Sequence, residues 1–219
     1  MIELIIFDCD GVLIDSEVGG CQTEAKMLSS LGFKITYQDI VKRFTGMKTE
    51  EMYRILQEEQ SITIPDNFED DVMQETLNVF AKTLKPIKGI KQFLKKNTLP
   101  VCIASGSKPE RLESTLKITK LYDFFAPHIF STNLVRNGKP APDIFYYCAE
   151  KMLIAPVKCL VVEDSPSGIK GAKKAGMNVI GFTGGSHCQT GHNDVLKDAG
   201  ARCVFSDMKD LAQIIADIP

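Results

Sequence analysis

Residues 4–11 read LIIFDCDG, a short apolar run followed directly by two aspartates and a glycine. An uninterrupted apolar run of this length is typical of a strand buried on both faces, as in a parallel sheet. Similar runs recur along the chain at Leu4–Phe7, Val101–Ala104, Cys159–Val162, Val179–Phe182 and Cys203–Phe205. These runs predict the strands of one parallel sheet.

Helical segments are predicted between these runs. Ser165-Pro166 is a typical helix start and Gly176 a typical helix end, and a second helix is predicted to begin at Pro142-Asp143. Strands that alternate with helices indicate an α/β fold. The sequence therefore predicts a doubly wound, Rossmann-like parallel sheet.

Residues 16–85 interrupt the alternation. They contain no convincing strand, and their apolar residues recur at helical spacing. Examples are Val18, Cys21, Ala25 and Leu28. We therefore predict an inserted all-helical cap domain at residues 16–85, and a catalytic α/β core formed by residues 1–15 and 86–219.

The composition limits the classes of partner. The 219 residues carry 26 Lys and Arg against 28 Asp and Glu, with no long basic run, which argues against nucleic acid or an anionic membrane surface as partner. The first apolar run is too short for a signal peptide or a membrane span. Seven scattered cysteines without a Cys-x-x-Cys pair indicate reduced thiols. We expect a cytoplasmic monomer that acts on a small molecule.

Polar residues follow the predicted strands. Ligands of an open parallel sheet bind beyond the carboxyl ends of its strands, so these positions are the ones to inspect for function. They are Asp8 and Asp10 after the first run, Ser105-Gly106-Ser107 after the second and Glu163-Asp164 after the third, with Lys139 just before a predicted helix. We predict that their side chains meet at one edge of the sheet.

The acidic members of this set are Asp8, Asp10, Glu163 and Asp164. Carboxylates so close together repel one another unless a cation lies among them, and oxygen-only ligation favours Mg²⁺ over Zn²⁺. The ion and Lys139 would bring three positive charges against four negative ones, so one protonated carboxyl would make the site neutral and supply a general acid. Such a site can bind a phosphate through the metal, Lys139 and the Ser105 hydroxyl.

Residues 8–15 (DCDGVLID), Ser105, Lys139 and residues 163–169 (EDSPSGI) together resemble the four-motif set of the haloacid dehalogenase superfamily. Their order and spacing match, and the resemblance spans essentially the whole chain. It is closest to the branch with a helical cap after the first motif, which contains β-phosphoglucomutase and many sugar-phosphate phosphatases. The resemblance implies a four-helix cap, a Mg²⁺ cofactor and phosphoryl transfer.

The resemblance also implies roles for the acidic residues. Asp8 is the expected nucleophile, which forms an aspartyl-phosphate, and Asp10 is expected to protonate the leaving alcohol and later to activate water. Asp8, the backbone carbonyl of Asp10 and Asp164 are the expected Mg²⁺ ligands, with Glu163 as a further or outer ligand.

Five residues are predicted to contact the substrate. By resemblance, Ser105 and Lys139 would hold the phosphoryl oxygens, with Gly106 and Ser107 beside them. Lys48 lies in the helical insert next to a glycine that permits close approach to a ligand, and it is predicted to contact the rest of the substrate.

Three functions fit these motifs. The mutase branch has a histidine where this chain has Gly20, and a cap arginine where this chain reads GMKT at residues 46–49, so we favour a phosphatase acting on a small phosphorylated metabolite, a sugar phosphate. A β-phosphoglucomutase-like mutase is the alternative enzyme. A receiver-like phospho-aspartate signalling module is the alternative from another class, although the helical insert and the Glu163-Asp164 pair argue against it.

A second group of metal-binding residue types lies further along the chain, at His187, Cys188 and His192. No fourth ligand accompanies them at a usual spacing, so the sequence does not predict a zinc site there.

Overall fold

The computed structural model describes residues 1–44, 47 and 49–218. The chain divides into two compact units. The α/β unit comprises Met1–Asp15 and Lys85–Pro219, and the helical unit comprises Ser16–Leu84. The chain thus returns to the α/β unit at Lys85, one residue before the position expected from the sequence.

The α/β unit contains, among the described residues, six strands in one parallel sheet. They are β1 (Leu4–Phe7), β2 (Val101–Ser105), β3 (Ile129–Ser131), β4 (Cys159–Glu163), β5 (Asn178–Phe182) and β6 (Val204–Phe205). The strand order is β3-β2-β1-β4-β5-β6, and every neighbouring pair is parallel. This order confirms the predicted doubly wound sheet. The sequence does not predict β3, because only Ile129 and Phe130 are consecutive apolar residues there.

The helical unit contains four helices in its described residues. They are α1 (Glu17–Ser30), α2 (Tyr37–Phe44), α3 (Thr49–Gln60) and α4 (Phe68–Thr83). Their apolar sides enclose a separate core that includes Leu28, Leu56 and Phe68. The Tyr53 hydroxyl donates a 2.8 Å hydrogen bond to Glu24 Oε1 and so ties α3 to α1.

Seven helices of the α/β unit are described. They are α5 (Ile90–Lys96), α6 (Pro109–Ile118), α7 (Tyr122–Phe125), α8 (Asp143–Met152), α9 (Pro166–Lys174), α10 (His192–Ala199) and α11 (Leu211–Ala216). Fully buried residues such as Ile144 of α8 and Ile169 of α9 pack with Val161 of β4. Each such side chain contributes about 1.5–3 kcal/mol on burial. All helices in the described part of the chain are too short or too polar to cross a membrane.

The sheet order fixes where a ligand can bind. β1 lies between β2 and β4, so the direction in which the chain adds strands reverses at β1. A crevice forms at such a switch point, beyond the carboxyl ends of the strands. The residues that follow β1 and β4 therefore line the expected binding crevice.

Candidate active site

The carboxylates of Asp8, Glu163 and Asp164 converge beyond the ends of β1 and β4. Phe7 pairs with Val162, so Asp8 and Glu163 fall at the same level of two neighbouring strands. One oxygen from each of the three carboxylates lies within 4.8 Å of the others, and all three residues are buried. Adjacent parallel strands thus bring together acidic residues that are more than 150 positions apart in the sequence.

Lys139 joins this cluster from the loop before α8. Its Nζ donates to Asp8 Oδ1 at 2.6 Å, to Glu163 Oε1 at 2.5 Å and to the carbonyl oxygen of Ala104 at 2.9 Å. An ammonium group has three hydrogens, so each has an acceptor here. Lys139 therefore connects the carboxyl ends of β1, β2 and β4.

The electrostatics of the cluster show an excess of negative charge. Burial raises the pKa of Asp8 well above its usual value, Lys139 opposes the rise, and Glu163 and Asp164 add to it. Burial also raises the pKa of Glu163, against the opposing effect of Lys139. Burial lowers the pKa of Lys139, but the charges and hydrogen bonds of Asp8 and Glu163 outweigh it and hold that pKa above its ordinary value. One ammonium does not neutralise three carboxylates.

The donor set of the cluster fits Mg²⁺. The three acidic residues offer only hard oxygen ligands, which Mg²⁺ prefers. Three carboxylates and one ammonium leave two negative charges, and a protonated His187 beside Asp164 leaves one, so the cluster still attracts a divalent ion. The cluster thus has both the ligand chemistry and the charge that this ion requires.

Glu163 is held differently from the two aspartates. Its Oε1 accepts from Lys139, and its Oε2 accepts from the Ser165 hydroxyl at 2.9 Å and the Ser165 N–H at 3.3 Å. The same Ser165 hydroxyl accepts from the Gly168 N–H at 3.0 Å and caps α9. Because both oxygens of Glu163 already have donors, Asp8 and Asp164 are the better placed direct metal ligands.

Two glycines leave room for these carboxylates. Gly11 has a φ of +78°, and a Cβ built there would lie 1.8 Å from Asp164 Oδ2. A Cβ at Gly168 would lie 1.9 Å from Glu163 Oε1. A side chain at either position would displace the acidic group beside it, so both glycines are needed for close packing of the cluster.

Ser105 is the last residue of β2, and Gly106 and Ser107 follow it at the same edge of the sheet. The buried Ser105 Oγ accepts from the Ser107 N–H at 3.1 Å. A Cβ at Gly106 would have no neighbour within 4 Å, so the loop is open there. The Ser107 hydroxyl donates to Asp10 Oδ2 at 2.6 Å, so in this structure its side chain positions Asp10.

Asp10 has a second partner that the sequence analysis missed. Arg111, in the first turn of α6, lies with Nη2 3.2 Å from Asp10 Oδ1. The sequence-based charge count has three positive charges, two from Mg²⁺ and one from Lys139, against four carboxylates. Arg111 adds a fourth, so a neutral site does not require a protonated carboxyl. The signal was present in the sequence, since a helix that begins at Pro109 places Arg111 near the end of β2.

Two histidines contact Asp164 and were also missed. His187 Nε2 lies 3.0 Å from Asp164 Oδ2, and His192 Nε2 lies 2.7 Å from the backbone oxygen of Asp164. Burial lowers the pKa of His187, but Asp164 and Cys188 outweigh it and raise that pKa to about 11. Both histidines follow β5, and their direction toward Asp164 could not be read from the sequence.

Lys48, the predicted substrate contact in the insert, lies outside the described residues.

The structure brings together Asp8, Glu163, Asp164 and Lys139 as one buried group. Asp10, Ser107 and Arg111 form a second, adjoining group through their own hydrogen bonds.

Comparison with known proteins places these features in a family. The sequence model described as haloacid dehalogenase-like hydrolase matches residues 5–182. The 6-phosphogluconate phosphatase of Escherichia coli K12 is 28% identical, over 85% of this chain and 85% of its own length. A phosphorylated carbohydrates phosphatase of Thermotoga maritima is 32% identical, over 82% of this chain and 84% of its own length.

A solved structure is similar along the full length of the chain. It is the crystal structure of a conserved haloacid dehalogenase-like protein of unknown function from Agrobacterium tumefaciens. The two chains superpose with a TM-score of 0.86 at 41% identity, covering 99% of this chain and 98% of the other.

Proposed function

The chain belongs to the haloacid dehalogenase-like hydrolase family, and on this basis we propose that it is a Mg²⁺-dependent phosphatase that hydrolyses a small phosphorylated metabolite of the sugar-phosphate class. The observation that carries the proposal is the buried group of Asp8, Glu163, Asp164 and Lys139 at the switch point of the sheet. The phosphatases of phosphorylated carbohydrates among its relatives support the substrate class.

In the proposed first half-reaction, a carboxylate oxygen of Asp8 attacks phosphorus while the bond from phosphorus to the leaving alcohol breaks. Lys139 holds Asp8 Oδ1 and favours the ionised form that a nucleophile requires. Asp10 donates a proton to the departing alkoxide. The product of this step is a phosphoryl group on Asp8.

In the second half-reaction, Asp10 removes a proton from water, and the water oxygen attacks the phosphorus of the aspartyl-phosphate. The phosphorus–Asp8 bond breaks, which releases inorganic phosphate and restores the carboxylate. Ser105 and Lys139 are proposed to bind the phosphoryl oxygens throughout. For this, Lys139 must exchange one of its three protein acceptors for a phosphoryl oxygen. A Mg²⁺ ion held by Asp8 and Asp164, when bound, would neutralise charge on the carboxylates and on the phosphoryl group.

The hydrogen bonds of Asp10 suit its role as the base that removes a proton from water in the second half-reaction. Ser107 donates to one of its oxygens and Arg111 to the other, and both hydrogen bonds stabilise the carboxylate. For the acid step, a proton on Asp10 must replace one of these two hydrogen bonds. Ser107 and Arg111 are therefore proposed to control the protonation and the direction of Asp10.

The proposal is tested by phosphate release from a panel of phosphorylated sugars, sugar acids and polyols. We expect Mg²⁺-dependent release of inorganic phosphate from at least one member of the panel. Removal of the metal with excess EDTA should abolish this release, and addition of Mg²⁺ should restore it. Release that continues undiminished in EDTA would contradict the metal dependence.

The mutase alternative is separated by its product. A mutase would convert a hexose 1-phosphate into the 6-phosphate without net release of phosphate, whereas the proposed phosphatase yields the free sugar. Chromatography of the reaction products after complete substrate conversion distinguishes the two. A 6-phosphate product would replace the phosphatase proposal with the mutase.

A further inference from the structure

A cluster of one thiol and two imidazoles lies beside the carboxylates, in the segment between β5 and α10. His187, Cys188 and His192 each offer one ligand atom, and these atoms all lie within 4.8 Å of one another. His187 Nε2 and Cys188 Sγ are 3.3 Å apart. The sequence does not predict a zinc site here, because no fourth ligand accompanies the three residues at a usual spacing.

The chemistry of this cluster differs from that of the carboxylates. Two nitrogens and one sulfur form a soft donor set, which favours Zn²⁺ over Mg²⁺. Tetrahedral Zn²⁺ ligation places a nitrogen and a sulfur donor about 3.5 Å apart, close to the separation of His187 Nε2 and Cys188 Sγ. Three protein ligands with an open fourth position are a known zinc arrangement, so a fourth protein ligand is not required.

The segment is folded so that the three donors are held in place. A Cβ at Gly185 would lie 2.8 Å from both Cε1 and Nδ1 of His187, and one at Gly11 would lie 2.7 Å from Cε1, so the ring packs against backbone on that side. The Cys188 N–H donates to the Gly185 carbonyl oxygen at 3.1 Å. His192 is the first residue of α10, and its Nε2 lies 2.7 Å from the backbone oxygen of Asp164, so its other ring nitrogen, Nδ1, remains for a metal ion.

The two nitrogens of His187 have different surroundings. Nδ1 is buried beside Gly185 and, among the residues that the structure describes, has no hydrogen-bond partner. Nε2 faces Cys188 Sγ and Asp164 Oδ2. Nε2 is therefore the nitrogen that can reach a metal ion shared with Cys188. The cluster is only partly buried, so an ion can enter from solvent.

We propose that His187 Nε2, Cys188 Sγ and a ring nitrogen of His192 form a binding site for Zn²⁺, separate from the carboxylate cluster. When Zn²⁺ binds, the Cys188 thiol and the protonated His187 ring each release one proton to solvent. The resulting thiolate and the neutral imidazoles of His187 and His192 each donate an electron pair to the ion. No ligand has to come from the three carboxylates. The site therefore does not compete with Mg²⁺ for ligand atoms.

Zn²⁺ binding has a consequence for the neighbouring site. His187 Nε2 cannot at once donate to Asp164 Oδ2, 3.0 Å away, and ligate a metal ion. When Zn²⁺ occupies the site of His187, Cys188 and His192 (the soft site), Asp164 therefore loses one hydrogen bond. Zn²⁺ binding and Mg²⁺ binding are coupled through this change. By linkage, each ion must change the affinity for the other by the same factor. This coupling rests on the proposed Mg²⁺ site, whereas the zinc site itself does not.

The site is tested with Co²⁺ as a spectroscopic substitute for Zn²⁺, titrated into the full-length protein in excess Mg²⁺. We expect a thiolate-to-cobalt charge-transfer band that saturates at one equivalent and disappears when Zn²⁺ is added. The band is expected to be lost in Cys188→Ser and kept in the matched control Cys203→Ser, another partly buried free cysteine. The Co²⁺ affinity of His192→Ala is expected to fall at least about tenfold.

The titration separates this proposal from the proposed function. Asp8→Asn should keep the cobalt band even where it has no activity, because Asp8 is not a ligand of the soft site. As a second readout, Zn²⁺ should raise the unfolding temperature of the unmodified protein and of Cys203→Ser, and at the same Zn²⁺ concentration it should raise that of His192→Ala less. Absence of a charge-transfer band in the unmodified protein, or a band that survives Cys188→Ser, would overturn the zinc site.

Discussion

Replacing Asp8 with asparagine is expected to abolish phosphate release, by about 10⁵–10⁶-fold. Asparagine has nearly the same shape and its oxygen can still accept from Lys139, but it is neutral and does not attack phosphorus. The measurement is single-turnover hydrolysis of a radiolabelled substrate followed by acid quench. The unmodified protein should yield labelled, hydroxylamine-sensitive protein, and Asp8→Asn should yield none.

The fold of Asp8→Asn should be intact. Asp8 is a buried carboxylate whose pKa is raised by burial, so its ionised form costs stability at neutral pH when no metal is bound. A neutral isostere removes that cost, and the metal-free variant is expected to unfold at the same temperature or higher. Asp198→Asn, on the exposed side of α10, is the matched control and should retain full activity. Normal turnover by Asp8→Asn would refute the nucleophile.

Replacing Lys139 with methionine is expected to lower turnover by about 10²–10³-fold, the usual cost of removing one preorganised donor to a charged transition state. The loss should also destabilise the fold, because removing one partner of a buried ion pair costs about 3–5 kcal/mol. Asp8 and Glu163 would then share a buried space with no ammonium between them. Phosphate release and urea unfolding without metal measure the two effects.

The destabilisation of Lys139→Met should depend on pH with a definite sign. Lys139 opposes the rise in the pKa values of Asp8 and Glu163, so its removal raises both values further above their unfolded-state values. When Asp8 and Glu163 are protonated, the folded state of the variant contains no unpaired buried charge at these positions. This stabilisation of the fold is lost as pH rises through the raised pKa values. The stability difference between unmodified protein and variant should therefore grow from pH 5 to pH 8. Lys139→Arg keeps the charge and should lose less stability, whereas near-normal turnover by Lys139→Met would contradict the assigned role.

The sheet could be predicted because its central strands are buried on both faces. Only apolar residues are tolerated at such positions, so β1, β2, β4 and β5 are visible as unbroken apolar runs. β3 is not predicted because it holds only two consecutive apolar residues, Ile129 and Phe130, between His128 and Ser131. The shorter β6 is predicted because Cys203 extends its apolar run to three residues. The length of the apolar run therefore determines which strands the sequence reveals.

The convergence of Asp8, Glu163 and Asp164 is predictable because they lie at the ends of apolar runs, and the carboxyl ends of parallel strands share one edge of a sheet. The structure adds that β1 and β4 are neighbours. The direction of a side chain depends on its rotamer and its neighbours, which the sequence does not state. Ser107 is an example: in the structure its hydroxyl donates to Asp10, which the sequence does not indicate, and its contact with the substrate stays a prediction. Arg111 is accessible to sequence reasoning, because a helix that begins at Pro109 places it near the end of β2. The convergence of the donor atoms of His187, Cys188 and His192 is not, because it depends on side-chain directions.

The central claim is that the buried carboxylates tolerate one another because a divalent cation lies among them. Its most direct measurement is a crystal structure of the protein grown with Mn²⁺ in place of Mg²⁺, with the ion located by anomalous scattering. We expect one ion bonded to an oxygen of Asp8 and an oxygen of Asp164, at about 2.0–2.2 Å. A map at saturating Mn²⁺ in which no ion touches either carboxylate would contradict the account.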